Sequence, residues 1–173
     1  MEAIMTSRAL IWSFALVTAL VFVFLMPFTL RGKAKSTTPT VRSWHGTWVG
    51  NATIVGNCKN GVLQFVESGV GYAEQAGMSK WSDKYCMDPT TWTASGRSAV
   101  ITAENGDKVC MKIELLFIWN SKTAGNWVEH ETIIGGTGKF AAATGGSHSR
   151  GTFALTDPKH AQWDGIDVGL ISS

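Results

Sequence analysis

At 173 residues, 45% hydrophobic and 16% charged, the chain less its N-terminal segment is long enough for one hydrophobic core or closed barrel and too short for two domains. Its formal charge of +2 comes from the N-terminal flank, since from Trp44 onward ten Lys and Arg stand against twelve Asp and Glu with no basic run. That argues against nucleic acid as a partner, because binding its backbone needs a clustered basic footprint.

Residues 1–9 form a short tail. Residues 10–30 carry no charged side chain and as a helix would span roughly 31 Å, the thickness of a bilayer's hydrocarbon core. They are read as a transmembrane signal anchor, with the membrane as the first partner. The alternative is a signal peptide cleaved at Gly32-Lys33-Ala34 and a secreted domain, but the apolar run exceeds a usual signal-peptide core. Arg31, Lys33, Lys35 and Arg42 pull the following domain toward the cytoplasm by the positive-inside rule, whereas an apolar segment this near the start is usually an export signal. The expectation is a single-pass protein with its globular domain on the exported side. Residues 31–43 make a polar linker whose basic residues suit lipid headgroups.

Residues 44–173 form the globular domain, and their pattern is that of strands. The expected strands are Trp44 to Ile54, Val62 to Tyr72, Thr91 to Ala103, Lys108 to Trp119, Trp127 to Ile134 and Gly151 to Leu155, with a last one around Ile166 to Ile171. Asn60-Gly61 and Asn105-Gly106 tolerate the positive φ of tight hairpins, so sequential strands should be antiparallel neighbours. The segment between Ala73 and Thr90 reads as an insertion holding at most a short helical turn. In Lys108 to Trp119, alternation puts Val109, Met111, Ile113, Leu115, Phe117 and Trp119 on a core face. The opposite face ends in Leu116 and Ile118, which calls for cover by a loop, a membrane surface or another subunit, hence a homo-oligomer as one alternative.

Cys58, Cys86 and Cys110 contain no C-x-x-C pair, so no zinc site is expected. One disulfide with one free thiol would suit an exported domain, and three thiols a cytoplasmic one. If a disulfide forms, Cys58 with Cys86 is the expected pair, because both sit in turn-like polar surroundings while Cys110 lies inside a strand.

The run Ile133-Ile134-Gly135-Gly136-Thr137-Gly138-Lys139-Phe140 carries Gly136-x-Gly138-x-x-Ala141, a partial dinucleotide fingerprint. That motif needs a following helix, and Thr144-Gly145-Gly146 breaks one. Gly138-Lys139 is followed by Phe140, so the phosphate-loop pattern fails too. No cofactor is expected, and Gly135, Gly136, Gly138 and Gly145 are read as structural turn residues.

The same residues, Gly135-Gly136-Thr137-Gly138-Lys139-Phe140 followed by Ala143-Thr144-Gly145 and Gly151-Thr152-Phe153, resemble the signature of the allene oxide cyclase and dirigent-like barrel superfamily. The resemblance is sharp over about Glu131 to Leu155 and general upstream, at His45-Gly46-Thr47-Trp48 and Ala103-Glu104-Asn105-Gly106-Asp107. It implies an all-β, antiparallel up-and-down β-barrel, whose interior could hold an apolar small molecule, with members that are cyclases, guides of radical coupling or proteins without a known role. Fold alone does not choose among these. The segment after Ala73 and a C-terminal strand read as short depart from the family pattern, so no catalytic residue is carried over.

Seven Trp fall within 44–173. Trp119 and Trp127 are candidate ligand-binding residues, against the reading that small barrels fill their interiors with aromatics. In Trp127-Val128-Glu129-His130-Glu131-Thr132, Glu129 and Glu131 share one strand face and His130 takes the other. Facing inward, the pair would offer a general acid for a cyclisation. Facing outward they are solvated charges, and outward is the expectation. His45, His148 and His160 have no metal-like spacing. The sequence therefore favours a barrel that binds a small apolar ligand or a partner, with an isomerase or cyclase as the alternative.

Overall fold

The computed structural model describes residues 39–173. The expected tail at 1–9, the expected anchor at 10–30 and the expected linker as far as residue 38 lie outside the described residues. Among the described residues no helix is long and apolar enough to cross a membrane.

Eight antiparallel strands close into an up-and-down barrel: β1 (Val41–Asn57), β2 (Leu63–Ala73), β3 (Gly77–Met87), β4 (Thr93–Ala103), β5 (Lys108–Trp119), β6 (Ala124–Gly136), β7 (Thr144–Asp157) and β8 (His160–Ser172). Closure is by β8 on β1, with Val41 opposite Ser172 and Thr53 opposite His160. The barrel thus begins three residues before the boundary read from the sequence, inside the supposed linker.

Three expectations about strands are corrected. The segment read as an insertion is β3, a full strand whose inward residues are Ser79, Trp81, Asp83, Tyr85 and Met87. Two of those five are polar, which erases the apolar alternation that marks a strand. The strand expected at Gly151 begins at Thr144, because Gly145 and Gly146 are paired with β6 and β8 instead of forming a loop. The last strand is not clipped but runs for 13 residues from His160. Its first half, with Ala161, Trp163 and Gly165 facing inward, pairs with β7 and β1 as fully as the second.

The glycine-rich connection between β6 and β7 is a single 3-10 turn, Gly138–Phe140, with β7 starting four residues later at Thr144, so no helix is present to receive a pyrophosphate. Gly135, Gly138 and Gly145 hold positive φ of 128°, 55° and 144°, which side-chain-bearing residues rarely adopt. Gly136 is needed for another reason: a Cβ there would run into the Lys108 carbonyl.

Inward glycines make room for large rings. A Cβ at Gly151 would lie 2.7 Å from the Trp127 indole, one at Gly69 2.9 Å from that of Trp163, and one at Gly125 2.8 Å from the ring of Phe153. This matching of absent and bulky side chains, on neighbouring strands or across one intervening strand, packs a narrow barrel without overlap. The interior is layered as a result. At the end where β1 starts and β8 finishes, Trp44, Ile101, Val109, Met111, Ile133, Phe140 and Ile171 form a closed apolar plug. At the other end Phe65, Tyr85, Leu115, Trp127 and Phe153 form a second cluster flanked by the partly buried Trp92, Phe117 and Trp119. Between them lies a polar layer of Glu67, Asp83, Arg97, Glu129, Glu131, Ser147, Ser149 and Asp167.

Cys58 and Cys86 are joined by a disulfide with Cα atoms 6.1 Å apart, tying the β1–β2 connection to β3 at the open end. Cys110 is a free thiol. Leu116 and Ile118 stand exposed on the outer surface, with Val128 opposite Leu116 on β6, and nothing among the described residues covers them.

Candidate functional site

The open end of the barrel leads into a cavity of about 110 Å³. Its walls come from every other residue of the strands, so the site is built by period-two alternation on a closed sheet. Four indoles run across the interior: Trp48 and Trp81 have ring centres 6.0 Å apart, Trp81 and Trp163 6.4 Å, and Trp163 and Trp127 6.1 Å. Nearer the mouth, Trp92 packs edge-on against Trp119 at 4.8 Å, and Trp119 against Phe153 at 4.8 Å. Trp92 is the one residue other than glycine with positive φ among the described residues, at 57°. Its carbonyl accepts from Phe117 N–H at 2.9 Å, which anchors this conformation to β5.

Trp119 and Trp127, the two candidates from the sequence, both line this cavity. The Trp127 indole N–H donates to the Thr152 carbonyl at 3.2 Å. Those of Trp48, Trp81, Trp119 and Trp163 are buried and have no protein acceptor. An unmet buried donor costs about 1–3 kcal/mol, so four of them along one cavity are unusual in a merely structural interior.

Glu129 and Glu131 are not outward-facing solvated charges as expected. They are 9% and 1% exposed and stand at the cavity floor. Arg97, which alternation alone did not single out, explains how they can be there. A bulge between Ala94 and Arg97 re-aims β4 and turns the guanidinium into the barrel. Its Nε is 2.5 Å from Asp83, its Nη1 3.0 Å from Glu129 and its Nη2 3.1 Å from Glu67. Only the Glu67 contact is also a well-aligned hydrogen bond, so the other two pairs are held by charge more than by direction. The guanidinium lies over the Tyr85 ring at 4.2 Å, and Tyr85 donates its hydroxyl proton to Glu67 at 2.6 Å.

On the far side of this group, Ser149 donates to Glu131 at 2.7 Å and Ser147 donates to its other oxygen. Asp167, from β8, accepts from the Trp44 indole of the adjacent β1. One guanidinium thus faces five inward carboxylates, those of Glu67, Asp83, Glu129, Glu131 and Asp167. Proton affinities follow from that imbalance. Burial pushes Asp83 up to about 6 against the pull of Arg97. Burial, then repulsion from Glu131, raises Asp167 to about 7. Burial also lifts Glu129 well above the usual carboxylate range, with Arg97 opposing and Glu131, hydrogen-bonded to it, reinforcing the rise. Burial works against the charge on Arg97, yet Glu129 and Glu67 outweigh it and hold the guanidinium ionised. The carboxyls of this floor, Glu129 above all, thus hold a proton more tightly than free carboxyls do, at the bottom of an apolar well.

The remaining sequence candidates lie apart from the cavity or at its edge. His160 and Lys159 stand at the mouth. His130 and His148 face each other outside the barrel with ring centres 4.7 Å apart. Among the described residues no group of three or more His, Cys, Asp or Glu is disposed to hold a metal ion. Gly135, Gly136, Gly138 and Gly145 belong to the closed end, away from the cavity.

The fold and the site together define an eight-stranded closed barrel with an aromatic, acid-floored interior open at one end. Comparison with protein-family models, with curated proteins and with solved structures finds no match.

Proposed function

We propose that this chain is an exported or membrane-tethered barrel that takes a small, largely apolar ligand through its open end. The observation that carries this reading is the set of unpaired indole donors of Trp48, Trp81, Trp119 and Trp163 along one apolar cavity, which a ligand oxygen would satisfy. The volume suits about one aromatic ring, since an engineered apolar cavity of roughly 150 Å³ accommodates benzene. The uncharged run at 10–30 supports tethering, and the Cys58–Cys86 disulfide supports an oxidising compartment. The likeness to allene oxide cyclase and dirigent-like barrels agrees with an interior used for ligands. Self-association would rest on the exposed Leu116, Ile118 and Val128.

Ligand-observed NMR against single-ring alcohols and ketones tests the cavity. Saturable binding is expected, and Leu115→Trp, which fills the well from β5, should abolish it while leaving the disulfide-bonded barrel folded. Equal binding by Leu115→Trp, or no saturable binding at all, would defeat the proposal.

A second reading is favoured by one specific observation, the burial of Glu129 beside Glu131 at the cavity floor, which raises its affinity for a proton. In that reading the barrel is an isomerase or cyclase in which the Glu129 carboxyl acts as general acid on an enclosed apolar substrate. Glu129→Gln should then keep ligand affinity and lose turnover, whereas turnover that survives in Glu129→Gln removes the catalytic reading.

A further inference from the structure

The excess of acid at the cavity floor narrows the ligand class, and the inference rests on the ligand-binding reading above. We propose that the cavity is a site for a small organic cation, an arylalkyl ammonium ion that also carries a hydroxyl or ether oxygen, whose nitrogen is held by Glu131 and Glu129 and whose ring lies among the Trp indoles, the oxygen accepting from one of their free N–H groups. Three observations meet in one place. The first is charge: Arg97 is already engaged by Glu67, Asp83 and Glu129, while Glu131, which accepts from the neutral hydroxyls of Ser147 and Ser149, is in no ion pair among the described residues. The second is the wall: Trp48, Trp81, Trp163 and Trp127 surround the space above it, and indole faces attract ammonium groups by their quadrupole, the more strongly when water is excluded. The third is that the interior already uses this chemistry once, with the Arg97 guanidinium stacked on Tyr85.

Burial already favours the protonated forms of Glu129, Asp83 and Asp167, and a nearby ammonium ion would oppose it. The groups that face Glu131 and Glu129 are Glu67 from β2, Asp83 and Tyr85 from β3, Arg97 from β4, Ser147 and Ser149 from β7, and Asp167 with its Trp44 partner from β8 and β1. Of these only Arg97 is cationic. Insertion of an ammonium ion favours the ionised forms of Glu129, Asp83 and Asp167, so binding should release protons and strengthen as pH rises from 5 to 8 while the amine stays protonated. A carboxylate ligand would behave oppositely, since it would need the floor fully protonated or would have to stay at the mouth beside Lys159.

The test uses the full-length chain in detergent micelles, with calorimetric titrations corrected against protein-free micelles. The probes are 2-phenylethylammonium, the neutral isostere 2-phenylethanol and the anion 3-phenylpropionate. The cation should bind at least tenfold tighter than either other probe at pH 7.5, and titrations in buffers of different ionisation enthalpy should show proton release. Glu131→Gln and Glu129→Gln should each weaken the cation tenfold or more and leave 2-phenylethanol within twofold, the unchanged alcohol showing that the cavity is intact. Ser149→Ala, a milder change, should weaken the cation alone by a smaller factor. Equal or tighter binding of the alcohol would overturn the cation proposal and leave the ligand-binding reading standing, as would preferred binding of the anion. Binding of none of the three overturns both.

Discussion

Asp167→Asn isolates the cost of keeping acid inside the barrel. Asp167 is almost fully buried, sits against Glu131, and has one strong donor, the Trp44 indole. With its proton affinity raised from 3.8 to about 7, the folded protein binds this proton more tightly than the unfolded chain. Stability is therefore unaffected below pH 3.8, falls as pH rises toward 7 and levels off above it. At about 1.4 kcal/mol per unit, the full penalty above pH 7 reaches about 4 kcal/mol. Asparagine removes that penalty and keeps an oxygen for Trp44, but its amide protons need acceptors, at a cost of about 1–3 kcal/mol. The variant should be less stable than the parent at pH 4, cross it between about pH 5 and 6, and exceed it by about 1–3 kcal/mol at pH 8. Urea unfolding of the barrel-only chain from Pro39, followed by Trp fluorescence at four pH values, gives the curve directly. A difference that does not change with pH, or a parent that gains stability from pH 5 to 8, would refute the assignment of Asp167 as a buried acid with a raised proton affinity.

Arg97→Met leaves Glu67, Asp83 and Glu129 without their shared cation, and removing one partner of a buried charge group typically costs about 3–5 kcal/mol. Because those carboxyls can take up protons instead, the loss in urea unfolding should be smaller at pH 5 than at pH 8, and the reverse order would count against the ion-pair account. Replacing Cys58 and Cys86 together by Ser releases a loop of 28-residue separation and should lower stability by about 2–4 kcal/mol, read from the same denaturation curves. An unchanged midpoint would mean that the disulfide adds nothing to the closed sheet.

The barrel was legible where inward residues are apolar. In β5 the series Val109, Met111, Ile113, Leu115, Phe117 and Trp119 turns into the interior as alternation predicts. It was obscured where the polar layer crosses a strand. Ser79 and Asp83 make β3 read as a polar insertion, and Glu129 and Glu131 on β6 read as surface charges for the same reason. In both places the usual rule, apolar side chains inward, is reversed by a partner from another strand. Arg97 comes from β4 and reaches the floor only through a bulge, and no local spacing reveals a cation that distant. Four of the site's indoles were visible as residues but not as a set, since Trp48, Trp81, Trp127 and Trp163 come from four different strands and meet only after closure.

That closure joins the first strand of the sheet to the last, and it has a kinetic meaning. The seam bond from Trp44 to Asp167 links residues 123 apart, so no partial chain can make it. On a ribosome the barrel stays an open, curved sheet with two raw edges until β8 has emerged. Until then the acidic layer remains hydrated, and desolvation of its carboxyls falls to the final zippering of β8 between β7 and β1. Non-local pairing of this kind is slow, and an open sheet is prone to pair with another copy of itself. The polar interior softens that hazard, because a half-built barrel with water among Glu67, Glu129 and Glu131 exposes charge as well as apolar surface. The same acids that burden the finished fold help keep its precursor from sticking.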